Sequence, residues 1–208
     1  MSIKLKICGM RERGNIAEVV ALQPDYIGFI FYPASKRFIG DLDPQLIKNI
    51  PATIKTTGVF VNEELEIVKN AIMKYDLKAV QLHGQESASY CQALKGTTEV
   101  IKAFGIDADF DFSKLDDYEA QVDYFLFDTQ TPDHGGSGKT FSWQLLGSYK
   151  NRKSYFLSGG IGIEQLAGLE QIKDERLYAI DVNSRFEVSP GLKDIALLTV
   201  CKQMLIKI

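Results

Sequence analysis

The chain has 208 residues, enough for one α/β domain and close to the lower limit for eight strand–helix units. Its 45% hydrophobic and 25% charged residues are ordinary for a globular protein, and a net charge of −3 leaves no basic footprint for a nucleic-acid partner. The three cysteines show neither CxxC nor metal-ligand spacing, which favours reduced thiols and no metal site. Lys4 and Lys6 interrupt the first apolar stretch, and no run approaches the ~20 residues of a membrane span, so the expectation is a cytoplasmic protein without a membrane partner.

Eight short apolar runs follow one another, at 3–8, 26–31, 55–61, 79–82, 100–104, 124–128, 155–158 and 179–182. They are rich in Ile, Val, Phe and Tyr, and most end at Gly, Asn, Asp or Ser, as strands do. Between them, residues 63–75 place Leu65, Val68, Ile72 and Tyr75 at helical spacing behind Asn62, a candidate N-cap. A second stripe runs over 163–172, and a third over 190–204 closes the chain, while 107–118 is less regular. Strands alternating with helices pair in parallel. Eight such units predict a single-domain (β/α)8, or TIM, barrel over residues 1–208, with an open doubly wound sheet as the alternative.

Several runs carry polar residues on one face: Lys6 and Cys8, Gln81 and His83, Tyr124 and Asp128, Asp181 and Asn183. The opposite face is apolar and suits a layer of helices, so the polar set points to the barrel axis. Lys6 and Asp181 there can equally form a structural ion pair. Cys8 and Asp128 come last in their strands, where barrel active sites are built.

Three segments carry glycine or turn residues: GGSGK at 135–139, SGGIG at 158–162 and NSR at 183–185. Glycine lets backbone N–H groups approach an anion, and barrels bind phosphate with their last two loops. GGSGK lacks the spacing of a nucleotide P-loop and reads as a turn or lid, with His134 a lid residue.

Together the motifs resemble the phosphoribosylanthranilate isomerase family of tryptophan biosynthesis. They are KICGM at 6–10, GFIFYPASKRFI at 28–39, GVFVN at 58–62, VQLHGQE at 80–86, FLFDT at 125–129, HGGSGKTFSW at 134–143, LSGGI at 157–161 and DVNSRFEVSPGLKD at 181–194. The resemblance spans nearly the whole chain. It implies a cofactor-free Amadori rearrangement of an aminoaldose, N-(5-phosphoribosyl)anthranilate, to a 1-deoxyribulose phosphate. The general base would be Cys8 and the general acid Asp128. Arg37 would meet the anthranilate carboxylate, and Gly160, Asn183, Ser184 and Arg185 the phosphate. The family's usual Ser-Ser-Gly turn after the last strand is Asn183-Ser184-Arg185 here, where Arg185 can add a charge-assisted contact.

The residue types suit that chemistry. A carboxylic acid protonates the furanose oxygen, and a thiolate removes the C2 proton of the resulting Schiff base. An unperturbed thiol has a pKa of ~8.5, so Cys8 needs help, and the charge of Lys6 two residues earlier is the candidate for it. His83 is expected to support the site or touch the substrate. Cys91 and Cys201 fall on helical stretches and read as packing residues.

Other phosphosugar barrels compete with this reading. A metal-dependent epimerase would need inward His and Asp ligands, and the chain has two histidines. Indole-glycerol-phosphate synthase would carry a segment before the first strand. A non-catalytic phosphate-binding barrel would have no use for Cys8 and Asp128. The expected partner is a small phosphosugar, and the protein a monomer or homodimer.

Overall fold

The computed structural model describes residues 3–129 and 141–207, so the 135–139 loop and His134 lie outside the described residues. Eight parallel strands close into a barrel in chain order: β1 (Lys4–Ile7), β2 (Tyr26–Ile30), β3 (Lys55–Phe60), β4 (Ala79–Leu82), β5 (Glu99–Ile106), β6 (Tyr124–Thr129), β7 (Tyr155–Leu157) and β8 (Leu177–Val182). The ring closes where β1 pairs with β8, setting Lys6 beside Asp181 and Ile7 beside Val182. Closure rules out the open sheet, and every sequence-predicted strand is present with ends shifted by at most a few residues.

The helices are α1 (Arg13–Ala21), α2 (Pro44–Lys48), α3 (Leu65–Tyr75), α4 (Ala88–Leu94), α5 (Asp116–Glu119), α6 (Ile163–Leu166) and α7 (Ile195–Leu205). None is long and apolar enough to cross a membrane among the described residues. Side-chain caps hold three of them: Asp43 accepts from Gln45 N, Ser87 from Tyr90 N and Asp194 from Leu197 N. The regularity expected over 163–172 breaks into α6 and a 3-10 turn at Leu169–Gln171, with Gly168 between them. The last helix starts at Ile195, five residues later than its apolar spacing suggests. Gly191, at φ 88°, turns a small hairpin of β9 (Glu187–Ser189) and β10 (Leu192–Lys193) instead.

Asn62 is not the cap of α3; Glu64 holds that position. Asn62 takes a left-handed φ of 52°, which asparagine tolerates, and its side chain accepts from Gln85 N at 2.6 Å. The loops after β3 and β4 are thereby tied together. Glu86 completes the tie, accepting from Asn62 N, Gly84 N and the buried Lys102 ammonium, 3.2 Å away.

The barrel interior is filled, not hollow. Tyr26, Ala79, Ile101, Ala103, Leu126, Phe156 and Ala179 pack across the axis, with Tyr124 and Tyr178 against them. At the N-terminal end of the strands Glu99 takes hydrogen bonds from Tyr26 and Lys55, and Tyr26 meets Tyr178 at 3.3 Å. Glu86→Ala removes the only carboxylate paired with Lys102 among the described residues and should cost about 3–5 kcal/mol, measurable by urea unfolding.

Candidate active site

Each strand delivers its last inward residue to the C-terminal mouth, as barrel geometry requires. There a cavity of about 740 Å³ opens. Cys8, Arg37, His83, Asp128, Gly160, Asn183 and Ser184 all line it, so seven of the eight sequence-predicted site residues meet in one place. The eighth, Arg185, is exposed beside it, and the stem of its side chain would meet a Cβ added at Gly162 at 3.4 Å.

Cys8 follows β1 and is fixed by its N–H on Val182 O at 3.0 Å. Its thiol fits because its neighbour on β2 is Gly28: a Cβ there would lie 2.7 Å from Sγ. Gly28 O also accepts from Gly9 N and Met10 N, pinning the loop after β1. Burial pushes the Cys8 thiol up, and Lys6 and Lys193 pull it down without overcoming that. The proposed help from Lys6 thus has the right sign but does not win.

Lys6 is fully buried inside the barrel. Its Nζ donates to Asp181 Oδ2 at 2.8 Å and to Gln81 Oε1 at 2.6 Å. Burial lowers its pKa, but the charge of Asp181 and the contact with Cys8 outweigh this and hold it above the ordinary lysine value. The structural ion pair anticipated for Lys6 and Asp181 is therefore present. Asp181 keeps one buried oxygen, Oδ1, without a hydrogen-bond partner among the described residues, and Asp181 lines the cavity.

Asp128, next to last in β6, has Oδ1 accepting from Thr129 N at 2.8 Å and Oδ2 lying 3.3 Å from His83 Nε2. Gly159 lets the loop after β7 close on it. At φ 90°, a Cβ there would stand 2.7 Å from Asp128 Oδ1 and 2.5 Å from Thr129 N. Gly160 follows at φ 63°, so both glycines adopt backbone open to few other residues. Across from them, Ser184–Phe186 forms a 3-10 turn. Arg185 is not among the positive-φ residues, so the position needs no glycine in this backbone.

Arg37 spreads its guanidinium on Glu187, with Nε at 2.9 Å and Nη2 at 2.7 Å from the carboxylate. Lys193 reaches the same carboxylate at 2.7 Å and Asn183 Oδ1 at 2.7 Å. Burial raises the Glu187 carboxyl, but hydrogen bonds from Arg37 and Lys193 outweigh it and hold the group below the usual carboxylate range. Sequence reasoning passed over Glu187 and Lys193; it placed Gln81 and Asp181 in the inward polar set and Gly159 in the SGGIG segment without assigning them a role. The first two sit in the FEVSPGLKD stretch, whose hairpin has no periodic signal. Tyr32, Val59, Val61 and Pro190 give the same cavity an apolar wall.

Fold and cavity together define a (β/α)8-barrel enzyme. The family model for N-(5'-phosphoribosyl)anthranilate isomerase matches residues 5–203, and the chain belongs to that family. The isomerase of Parabacteroides distasonis is 45% identical over 194 residues, covering 92% of this chain and 88% of its own. That of Thermotoga maritima is 38% identical, covering 92% and 93%. A crystal structure of the T. maritima enzyme superposes with TM-score 0.86 at 34% identity over 99% of this chain and 100% of that one. A phosphoribosyl anthranilate isomerase in complex with reduced 1-(o-carboxyphenylamino)-1-deoxyribulose 5-phosphate superposes at 0.83 and 32%, covering 99% and 97%.

Two outcomes test the seat of Cys8. Gly28→Ala should lower kcat/KM about 10²-fold, because the added methyl displaces the thiol and crowds the Cys8 backbone, with a smaller fall in melting temperature. Alkylation of Cys8, read against a Cys8→Ser control, should keep accelerating at pH values where an exposed thiol of pKa ~8.5 has levelled off. In Lys6→Met the midpoint should move higher still; an unmoved midpoint removes Lys6 from the thiol's electrostatics.

Proposed function

We propose that this isomerase rearranges N-(5-phosphoribosyl)anthranilate to 1-(2-carboxyphenylamino)-1-deoxyribulose 5-phosphate in tryptophan biosynthesis, with Asp128 as general acid and Cys8 as general base. The observation that carries this is the meeting of a thiol, a carboxyl group and a two-loop glycine turn on one cavity wall. The bound molecule in one related crystal structure has the form of that product in reduced state, which supports the substrate assignment.

The substrate is a phosphate at one end and a benzoate at the other. The loops bearing Gly160 and Asn183–Ser184 suit the phosphate, since positive-φ glycines turn backbone N–H groups toward an anion. Arg185 adds positive charge beside them. Arg37 suits the carboxylate: its Nε and Nη2 hold Glu187, and Nη1 has no protein partner among the described residues. The apolar wall of the cavity fits the ring.

Between these ends, Asp128 gives its proton to the ring oxygen, the C1–O bond breaks, and the amine lone pair forms the Schiff base. Cys8 as thiolate removes the C2 proton, giving an enolamine that tautomerises to the ketone. Burial leaves the thiolate a minor form, so the base works as a small fraction or ionises as substrate docks. The step needs no cofactor and no metal, and the partner is the phosphosugar alone, without nucleic acid or membrane. We place the protein in the cytoplasm, as a monomer or homodimer; one related T. maritima enzyme is described as dimeric.

Phosphoribosylanthranilate made in situ loses its fluorescence as it is consumed, so adding the protein should accelerate that loss. Cys8→Ala and Asp128→Asn should each reduce turnover at least roughly 10²–10⁴-fold while circular dichroism stays unchanged. Near-normal turnover in either variant would remove that residue from its role.

A further inference from the structure

The acid side of the cavity is backed by a chain of three side chains that reaches into the barrel: Lys6, Gln81 and His83. Lys6 Nζ has only protons to offer, so the atom of Gln81 that it meets at 2.6 Å must be the amide oxygen. That fixes the other end of the amide. The Gln81 NH₂ therefore faces His83 Nδ1 at 2.7 Å, and Nδ1 must be the acceptor. A neutral ring with Nδ1 accepting carries its proton on Nε2. Nε2 lies 3.3 Å from Asp128 Oδ2, where a lone pair would repel the carboxylate and an N–H attracts it. The amide contact thus selects this tautomer, and with Asp128 ionised the second neighbour favours it as well.

We propose that Gln81 and His83 are positioning residues: Lys6 orients Gln81, Gln81 fixes His83 as the Nε2–H tautomer, and His83 in turn steers the Asp128 carboxyl toward the substrate. The inference rests on the reading of Asp128 as the acid. The 3.3 Å separation is long for a hydrogen bond, and such contacts commonly tighten when substrate binds. The chain does not carry protons between Cys8 and Asp128, because the amide in its middle neither gains nor loses one. Its work is geometric.

The chain has two histidines, so the test is spectroscopic and simple to assign. Ring-nitrogen NMR on protein labelled in histidine, with His134→Gln to identify the other ring, reports which nitrogen of His83 is protonated at neutral pH. A proton on Nε2 alone is the expected result; a proton on Nδ1 overturns the inference. Gln81→Met keeps the length and removes both amide contacts. It should mix the tautomers and lower kcat about tenfold or more with KM little changed, part of the roughly 10²–10⁴-fold that a placed acid supplies. An unchanged kcat overturns the positioning role. If Gln81→Met does not fold, the wild-type spectrum still decides. That spectrum does not depend on Asp128 being the acid, so its failure is told apart from failure of the Asp128→Asn experiment.

Discussion

The site depends on one buried charge. A lysine ammonium inside a barrel is costly unless it is paired and fully hydrogen-bonded. Lys6 meets that demand with Asp181 from the neighbouring strand and Gln81 from across the axis. Each partner then has its own orientation decided for it. Asp181 spends one oxygen on Lys6 and keeps the other buried without a hydrogen-bond partner among the described residues. Gln81 loses the freedom to flip. The thiol two residues along the same strand takes up the same positive field. A thiol, an amide and a carboxylate that line the cavity are thus arranged around a single nitrogen.

A second ion cluster does the same at the rim. Glu187 is shared between Arg37, from the loop after β2, and Lys193, from the hairpin after β8, and Lys193 also holds Asn183. The region that should meet a carboxylate and the turn that should meet a phosphate are therefore parts of one network. Gly9, at φ 79°, lets the first loop pass between them: a Cβ there would lie 2.7 Å from both Arg37 Cδ and Asn183 Oδ1.

Strand order and inward polarity were legible because they follow from period-two patterning with a strict apolar outer face. Lys6, Gln81 and Asp181 could be placed inside the barrel from parity alone. What that patterning does not encode is pairing across the barrel, since Lys6 and Gln81 are 75 residues apart. Nor could it weigh burial against charge at Cys8. The helical readings failed where apolar spacing continued through a turn: Leu192 sits on the β9–β10 hairpin, and Gly168 interrupts the 163–172 stripe. Asn62 is a good cap by type, yet its backbone is left-handed and its side chain is taken by Gln85. Local preference gave way to tertiary contact there.

The packed floor of the barrel has its own consequence. Tyr26, Phe156 and Leu126 fill the axis, and the Tyr26–Glu99–Lys55 cluster ties the strands below them. Among the described residues these side chains fill that line, so the cavity has a packed floor. A molecule seated above that floor cannot leave through it, and a product still seated holds the place of the next substrate. Turnover then includes the time that seat takes to clear, and the groups that grip hardest at the rim also govern it.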